Sequence, residues 1–291
     1  MLVTHFNMKK ILLTGARGML GTDFIKHFGD TFEIFPLDRN NWDITNMQLM
    51  DECIKNNMPD IILNFAAYTN VEDAEDVWIK NNFEANALWV YNLAKLSKQY
   101  NIKFITISTD YVFDWVKETW YSENDAPNPI NSYGTAKYLW ERLARQENPD
   151  SIIVRTSWLY GWGTTFKNFV NTMLKLSSTR KELKVVNDQF GAPTYTIDLC
   201  EALAQIIDHI DSYVSRILHF SNQTPDNGIS RFEFAREIFR VAERKIALIP
   251  CSSSDFPSKL VRPQYSKLIN WSNIHLRNRK EWLQAYLSTL S

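Results

Sequence analysis

Tyr133 and Lys137 stand four residues apart in the run Tyr133-Gly134-Thr135-Ala136-Lys137, so on a helix they share one face. A tyrosine hydroxyl ordinarily titrates near about 10, and a neighbouring ammonium favours the phenolate and lowers that value. The pair therefore reads as a general acid, Tyr133, with Lys137 as its electrostatic partner and as a hydrogen-bond donor to a nicotinamide ribose. The same spacing is common on solvated helix faces, and its weight comes from its place in the chain. It follows a strand-like run at 103–108 that ends in Ser108-Thr109-Asp110-Tyr111-Val112-Phe113. Thr109 is placed there to polarise a substrate carbonyl, and Asp110 to orient it or assist proton transfer. Tyr111, Val112 and Phe113 are expected to border the substrate.

The second chemical signal lies near the start, in Thr14-Gly15-Ala16-Arg17-Gly18-Met19-Leu20-Gly21. It follows one strand-like run and opens a helix, the setting in which a glycine pattern implies a dinucleotide. Gly15 allows a tight turn, Gly18 a close approach of a pyrophosphate, and Gly21 close packing of helix on sheet. The N–H groups of the following helix face the phosphates. Only nine glycines occur in the chain, and three sit here. Arg17, Met19 and Leu20 complete the expected contact surface of the turn. Asp38 ends the second strand, where a carboxylate can hold adenine-ribose hydroxyls, and Arg39 beside it could instead pair with a 2′-phosphate. NADPH and NADH both stay open as the cofactor. Asp43, Ile44, Phe65, Ala66, Ala67 and Tyr68 lie where later strands run into loops, and are expected to line the same cofactor.

These residues need a scaffold, and the hydrophobic pattern supplies one. Strands are expected at Lys10–Thr14, Glu33–Leu37, 60–64, 103–108 and 151–155. Helices are expected at Met19–Phe28, 46–56, 82–99 and 133–146. Repeated βα units of this kind imply an α/β fold with a doubly wound, Rossmann-like parallel sheet. Beyond residue 156 the rhythm loosens, with helices expected at 166–176, Thr196–Asp208 and 231–244. Residues 8–156 are read as the dinucleotide-binding domain. Residues 157–291 are read as mainly a smaller α/β substrate lobe, partly interleaved with the first.

Bulk composition removes whole classes of function. The net charge is −1, with 32 basic against 33 acidic residues and no basic stripe, which argues against nucleic acid as partner. No apolar run reaches the roughly 18 residues needed to span a bilayer, and the first residues lack a secretory pattern. Cys53, Cys200 and Cys251 are too few and too scattered for a disulfide framework or a metal site, as in a cytoplasmic protein with reduced thiols. No bound metal is expected.

The glycine turn, the Ser-Thr-Asp strand end and the Tyr-x-x-x-Lys pair together resemble the extended short-chain dehydrogenases/reductases. Further runs narrow the resemblance to the dTDP-4-dehydrorhamnose reductase family. They are Ala66-Ala67-Tyr68-Thr69-Asn70-Val71-Glu72, Arg155-Thr156-Ser157-Trp158-Leu159-Tyr160-Gly161, Asn187-Asp188-Gln189-Phe190-Gly191-Ala192-Pro193-Thr194 and Arg262-Pro263. The resemblance implies reduction of the C4 keto group of dTDP-4-dehydro-L-rhamnose by NADPH or NADH, in the synthesis of a sugar precursor of polysaccharides. It implies catalytic roles for Thr109, Tyr133 and Lys137. It also implies substrate contacts from Trp158, Asn168, Gln189 and Arg262, and is compatible with a homodimer. The chain departs from the family pattern at Trp89, Trp115 and Trp140, which stand where small residues are usual, and at Glu72-Asp73. Two other readings remain open at this point. One is a reductase or epimerase of another nucleotide-linked deoxy sugar. The other is a non-catalytic relative resembling the regulatory β subunit of methionine adenosyltransferase.

Overall fold

The computed structural model describes residues 8–38, 46–75, 82–161, 163, 165–225, 228–256 and 262–289. Its centre is a sheet of six parallel strands in the order β2-β1-β3-β4-β5-β10. These are β1 (Lys10–Thr14), β2 (Glu33–Leu37), β3 (Ile61–Asn64), β4 (Lys103–Thr109), β5 (Ile152–Thr156) and β10 (Ile217–Phe220). Strand β3 is buried at every position and β5 likewise, the pattern of a sheet covered on both faces. The chain leaves β1 for β2 on one side and returns for β3 on the other. Strands β1 and β3 thus bracket the switch point where open α/β sheets bind ligands.

Helices cover the two faces. On one face α1 (Met19–Phe28) packs against α6 (Thr196–Asp208), joining Leu20 and Phe24 to Leu199, Leu203 and Ile207. On the other lie α2 (Met47–Asn57), α3 (Trp89–Gln99) and α4 (Ser132–Glu147), whose apolar sides meet around Met50, Leu93, Phe104 and Trp140. The helix expected at 82–99 begins as a wide π-turn at Glu84–Leu88 before the α-helix proper. Asn86 in the wide turn and Asn82 just before it are both fully buried, in reach of neighbouring loops. Asn86 bonds both backbone groups of Tyr68, at 2.9 and 3.0 Å, and Asn82 donates to the Ser132 carbonyl at 3.1 Å.

The later part of the chain builds a second core rich in rings. Tyr160, Phe234, Trp282 and Tyr286 pack together from β6 (Leu159–Tyr160), α7 (Arg231–Val241) and α8 (Arg279–Ser288). Helix α5 (Phe169–Ser177) starts at its N-cap Asn168, not at 166, because the Asn168 side chain accepts from the Asn171 N–H. Several short strands had no counterpart in the sequence reading. They are β6 and β10, together with β7 (Glu182–Val186), β8 (Phe190–Gly191), β9 (Thr194–Tyr195), β11 (Ile229–Ser230) and β12 (Ala247–Cys251). Strands β7 and β12 pair in parallel across a long stretch of chain. Strand β10 and helix α6, although both lie beyond residue 156, belong to the central sheet and its cover. Among the described residues no helix is long and apolar enough to cross a membrane, and no cluster of side chains has the make-up of a metal site.

Candidate active site

A cleft of about 850 Å³ opens at the carboxyl ends of the central strands. One wall is the turn between β1 and α1. Gly15 adopts φ +70°, and a Cβ there would lie 2.6 Å from the Ala66 backbone nitrogen. Only glycine fits that position. The turn is closed by Gly18 N–H donating to the Gly15 carbonyl at 2.9 Å. Helix α1 has no side-chain cap and no acidic residue in its first turn, so its first N–H groups are left for an anionic ligand. Leu37, Phe65, Ala66 and Ala67 extend this wall without projecting polar groups. The wall fits a dinucleotide: a turn that a Cβ would fill, an uncapped helix start and a flat apolar shelf. At its edge the Arg17 Nε donates to the Asp38 carboxylate at 2.6 Å. Arg17 of the turn is thus a partner of Asp38, while Arg39, Asp43 and Ile44 lie outside the described residues.

The opposite wall comes from the end of β4 and the start of α4. Tyr111, Tyr133 and Lys137 face the cleft together with Ser108, Thr109 and Asp110. Helix α4 reaches this position because Gly134 lies directly against the strand-end backbone. A Cβ on it would come within 2.0 Å of the Tyr111 carbonyl oxygen. The helix starts at Asn131, whose side chain accepts from the Gly134 N–H at 2.7 Å. Thr109 Oγ1 accepts from the Tyr111 N–H at 3.2 Å and donates to Asp110 Oδ1 at 3.0 Å. The other Asp110 oxygen is buried without a hydrogen-bond partner. Burial lifts the Asp110 carboxyl to about 7, with the Thr109 and Ser266 hydroxyls and the Arg231 charge pulling back only in part.

Tyr133 and Lys137 share the cleft face as the helical spacing required, but the electrostatics differ from the sequence expectation. Burial, with Asp110 and Tyr111 beside it, pushes the Tyr133 hydroxyl up rather than down, while a Thr109 hydrogen bond opposes this. The Lys137 ammonium does not lower it, because it is turned to the Ile107 carbonyl at 2.7 Å and the Trp140 ring at 3.1 Å from the centroid. Burial also drives the Lys137 pKa well below its usual range, with Glu141 opposing. The structure therefore holds Tyr133 firmly protonated, a donor of a proton and not a resting phenolate.

Behind this wall lies a buried polar chain. Ser108 donates to Glu141 at 2.5 Å. Arg155 donates to both Glu141 oxygens, at 2.8 and 2.6 Å, and to His219 Nε2 at 3.3 Å. Because Arg155 can only donate, His219 Nε2 is the acceptor, and Nδ1–H points to the Tyr121 carbonyl at 3.2 Å. Burial and the Arg155 charge take His219 down to about 3, so it is neutral. Trp115, with φ +61°, donates its indole N–H to the Asp110 carbonyl at 3.1 Å and packs edge-on to Tyr111. The left-handed backbone costs roughly 1–2 kcal/mol, and burying a large ring with its N–H bonded returns more than that.

The expected substrate contacts divide. Trp158 lines the cleft, and Gly191 of the Asn187–Thr194 run leaves the space its ring fills. Val112 and Phe113 do not face the cleft. The 3₁₀ turn after Thr109 sends both into the core, fully buried, against Trp115, Tyr121 and Leu268. Asn168 caps α5 through its side-chain oxygen, Gln189 is buried with its backbone carbonyl taking the Arg231 N–H, and neither is among the residues that line the cleft. Arg262 is half-exposed and paired with Glu72 at the rim. Tyr68 is held through its backbone by Asn86 rather than set on the apolar shelf. The cleft also takes in residues outside the predicted site set, Arg231 and Trp89 among them. Arg231 stacks on the Trp158 ring at 3.5 Å and faces the cleft. Burial takes its guanidinium to about 10, still charged near neutrality. Trp89 also joins the lining. No local signal marks Arg231, since its ring partner lies far away in the chain.

The model of the RmlD substrate binding domain matches residues 8–290. The spore coat polysaccharide biosynthesis protein SpsK of Bacillus subtilis is 36% identical over 290 residues, covering 98% of this chain and 99% of that protein. A dTDP-4-dehydrorhamnose reductase of Aggregatibacter actinomycetemcomitans is 37% identical over 273 residues, 90% of each chain. Among solved structures, a dTDP-4-dehydrorhamnose reductase of Bacillus anthracis in complex with NADP has a TM-score of 0.91 at 34% identity, covering 97% of this chain and 99% of that one.

Proposed function

The chain belongs to the RmlD substrate binding domain family, and from that premise we propose that its cleft reduces the C4 keto group of dTDP-4-dehydro-L-rhamnose to give dTDP-L-rhamnose. The observation that carries this reading is the union, in one cleft, of the glycine turn with Thr109, Tyr133 and Lys137. NADPH or NADH, when bound, supplies the hydride. Gly15, Gly18 and the start of α1 would hold its pyrophosphate, Asp38 and Arg17 its adenosine ribose, and Ala66 and Ala67 would let it lie flat.

The remaining chemistry belongs to the chain. As a carbonyl carbon takes up hydride, negative charge grows on its oxygen, and the oxygen needs donors and then a proton. Tyr133 holds its proton tightly until that charge develops, then gives it up to a more basic alkoxide. Thr109, anchored by the Tyr111 N–H, becomes the second donor when its single O–H turns from Asp110 Oδ1 to the substrate oxygen. The Lys137 ammonium, held by the Ile107 carbonyl and the Trp140 ring, is the donor to the nicotinamide ribose. Arg231 and Arg262 offer guanidinium groups to a diphosphate on the second-lobe side. The nucleotide sugar is the partner proposed, with a cytoplasmic place of action in keeping with the three free thiols.

The test is direct. Purified protein is mixed with NADPH or NADH and enzymatically made dTDP-4-dehydro-L-rhamnose, and nicotinamide absorbance is followed. Net oxidation is expected, which an epimerase would not give, and Tyr133→Phe should slow it by about 10²–10⁴ with cofactor affinity retained. Absence of oxidation with either cofactor would defeat the assignment.

A further inference from the structure

Trp140 stands three residues after Lys137, on the same face of α4. It is fully buried, and the Lys137 Nζ sits 3.1 Å from its ring centroid. The ring cannot drift, because the indole N–H donates to Thr106 Oγ1 on β4 at 2.8 Å. Thr106 also accepts from Asn64 on β3 at 2.9 Å, and Asn64 accepts in turn from Thr14, the residue before the glycine turn. A hydrogen-bonded row thus runs across three strands from the cofactor turn to the indole.

We propose that Trp140 is a positioning residue for Lys137: its π-face keeps the ε-amine charged in a dry pocket and, with the Ile107 carbonyl, aims its remaining N–H bonds at the cleft. The need is physical. Lys137 is 2% exposed, and burial works against the ammonium form. The negative face of an indole ring offers a cation attraction that does not require water. The charged groups around Lys137 do not suffice. Glu141, on the same helix, is already engaged by Ser108 of β4 and both arms of Arg155 on β5. Asp110, after β4, is itself held partly protonated by burial. Tyr133 is neutral, His219 of β10 is neutral behind Arg155, and α3 turns Lys95 and Lys98 to solvent. Beside the Ile107 carbonyl, which accepts a single N–H, the aromatic ring is the contact that stabilises the ammonium.

This inference rests on the reading of Lys137 as part of a reductase site, and the test separates the two. Protein labelled with ¹³C at lysine Cε is titrated, the Lys137 signal being assigned by its loss in Lys137→Arg. In Trp140→Leu the Lys137 midpoint should fall by about one pH unit, and the alkaline limb of kcat/KM should move with it. Trp140→Phe keeps an aromatic face without the N–H anchor and should give a smaller fall in the same direction. A purely structural role would lower melting temperature and leave the lysine midpoint where it was. A folded Trp140→Leu with an unchanged midpoint overturns the proposal. If Trp140→Leu does not fold, an unchanged midpoint in Trp140→Phe overturns it. Failure of the wild-type protein to oxidise either cofactor counts against the reductase reading alone, since the lysine titration is read without turnover.

Discussion

Asp110 should make this protein less stable as pH rises through the neutral range. Its carboxyl is 2% exposed, and one oxygen has no hydrogen-bond partner. Burial raises its pKa from 3.8 to about 7. Below pH 3.8 the acid is protonated in both folded and unfolded chains and has no effect on the balance. Between 3.8 and about 7 the folded chain holds the proton more tightly, so each increase in pH favours unfolding. At about 1.36 kcal/mol per pH unit, the full cost above neutrality is about 4 kcal/mol. Asp110→Asn keeps the shape and lets the amide oxygen accept from Thr109, but it buries an N–H with no partner, at about 1–3 kcal/mol. The variant should therefore be less stable than wild type at pH near 4 and more stable near 8. The measurement is urea unfolding followed by circular dichroism at several pH values, taking the difference between variant and wild type. Other titrating groups are common to both chains and drop out of that difference. A difference that stays constant within about 1 kcal/mol, or that runs the opposite way, would refute the burial argument.

Other expectations concern the same wall of the cleft. His219, held down at about 3 by burial and by Arg155, binds its proton only after unfolding, so stability should fall as pH drops from 6.5 toward 3. His219→Asn should flatten that acid limb in a circular-dichroism pH titration, by about 5 kcal/mol at its foot. Gly134→Ala would press a Cβ against the Tyr111 carbonyl and push α4 outward. It should cost about 1–3 kcal/mol in denaturant unfolding and lower kcat about 100-fold, and normal turnover would show that the contact yields easily. Arg231→Met keeps the stem over Trp158 and removes the charge. The substrate KM should rise at least about tenfold with kcat nearly kept, and initial-rate kinetics showing no rise would remove Arg231 from substrate binding.

Sequence by itself determined the parts of this protein that depend on short spacings. The βα rhythm, the glycine turn before α1 and the Tyr133–Lys137 face are local patterns, and local backbone geometry carries them into the structure unchanged. Element boundaries at β1, α1, β2 and α6 coincide with the hydrophobic pattern for the same reason. Tertiary structure decided whatever depends on distant parts of the chain. Strand β10 joins the central sheet, and β7 pairs with β12, through contacts that no window of sequence contains. Arg231 meets Trp158 because neighbours remote in sequence fix where each side chain points. The charge state of the site was likewise beyond the sequence: a lysine four residues from a tyrosine guarantees proximity, but burial and the pull of Trp140 and Ile107 decide which way the ammonium turns. Desolvation and orientation are properties of the packed whole, and spacing along a chain does not encode them.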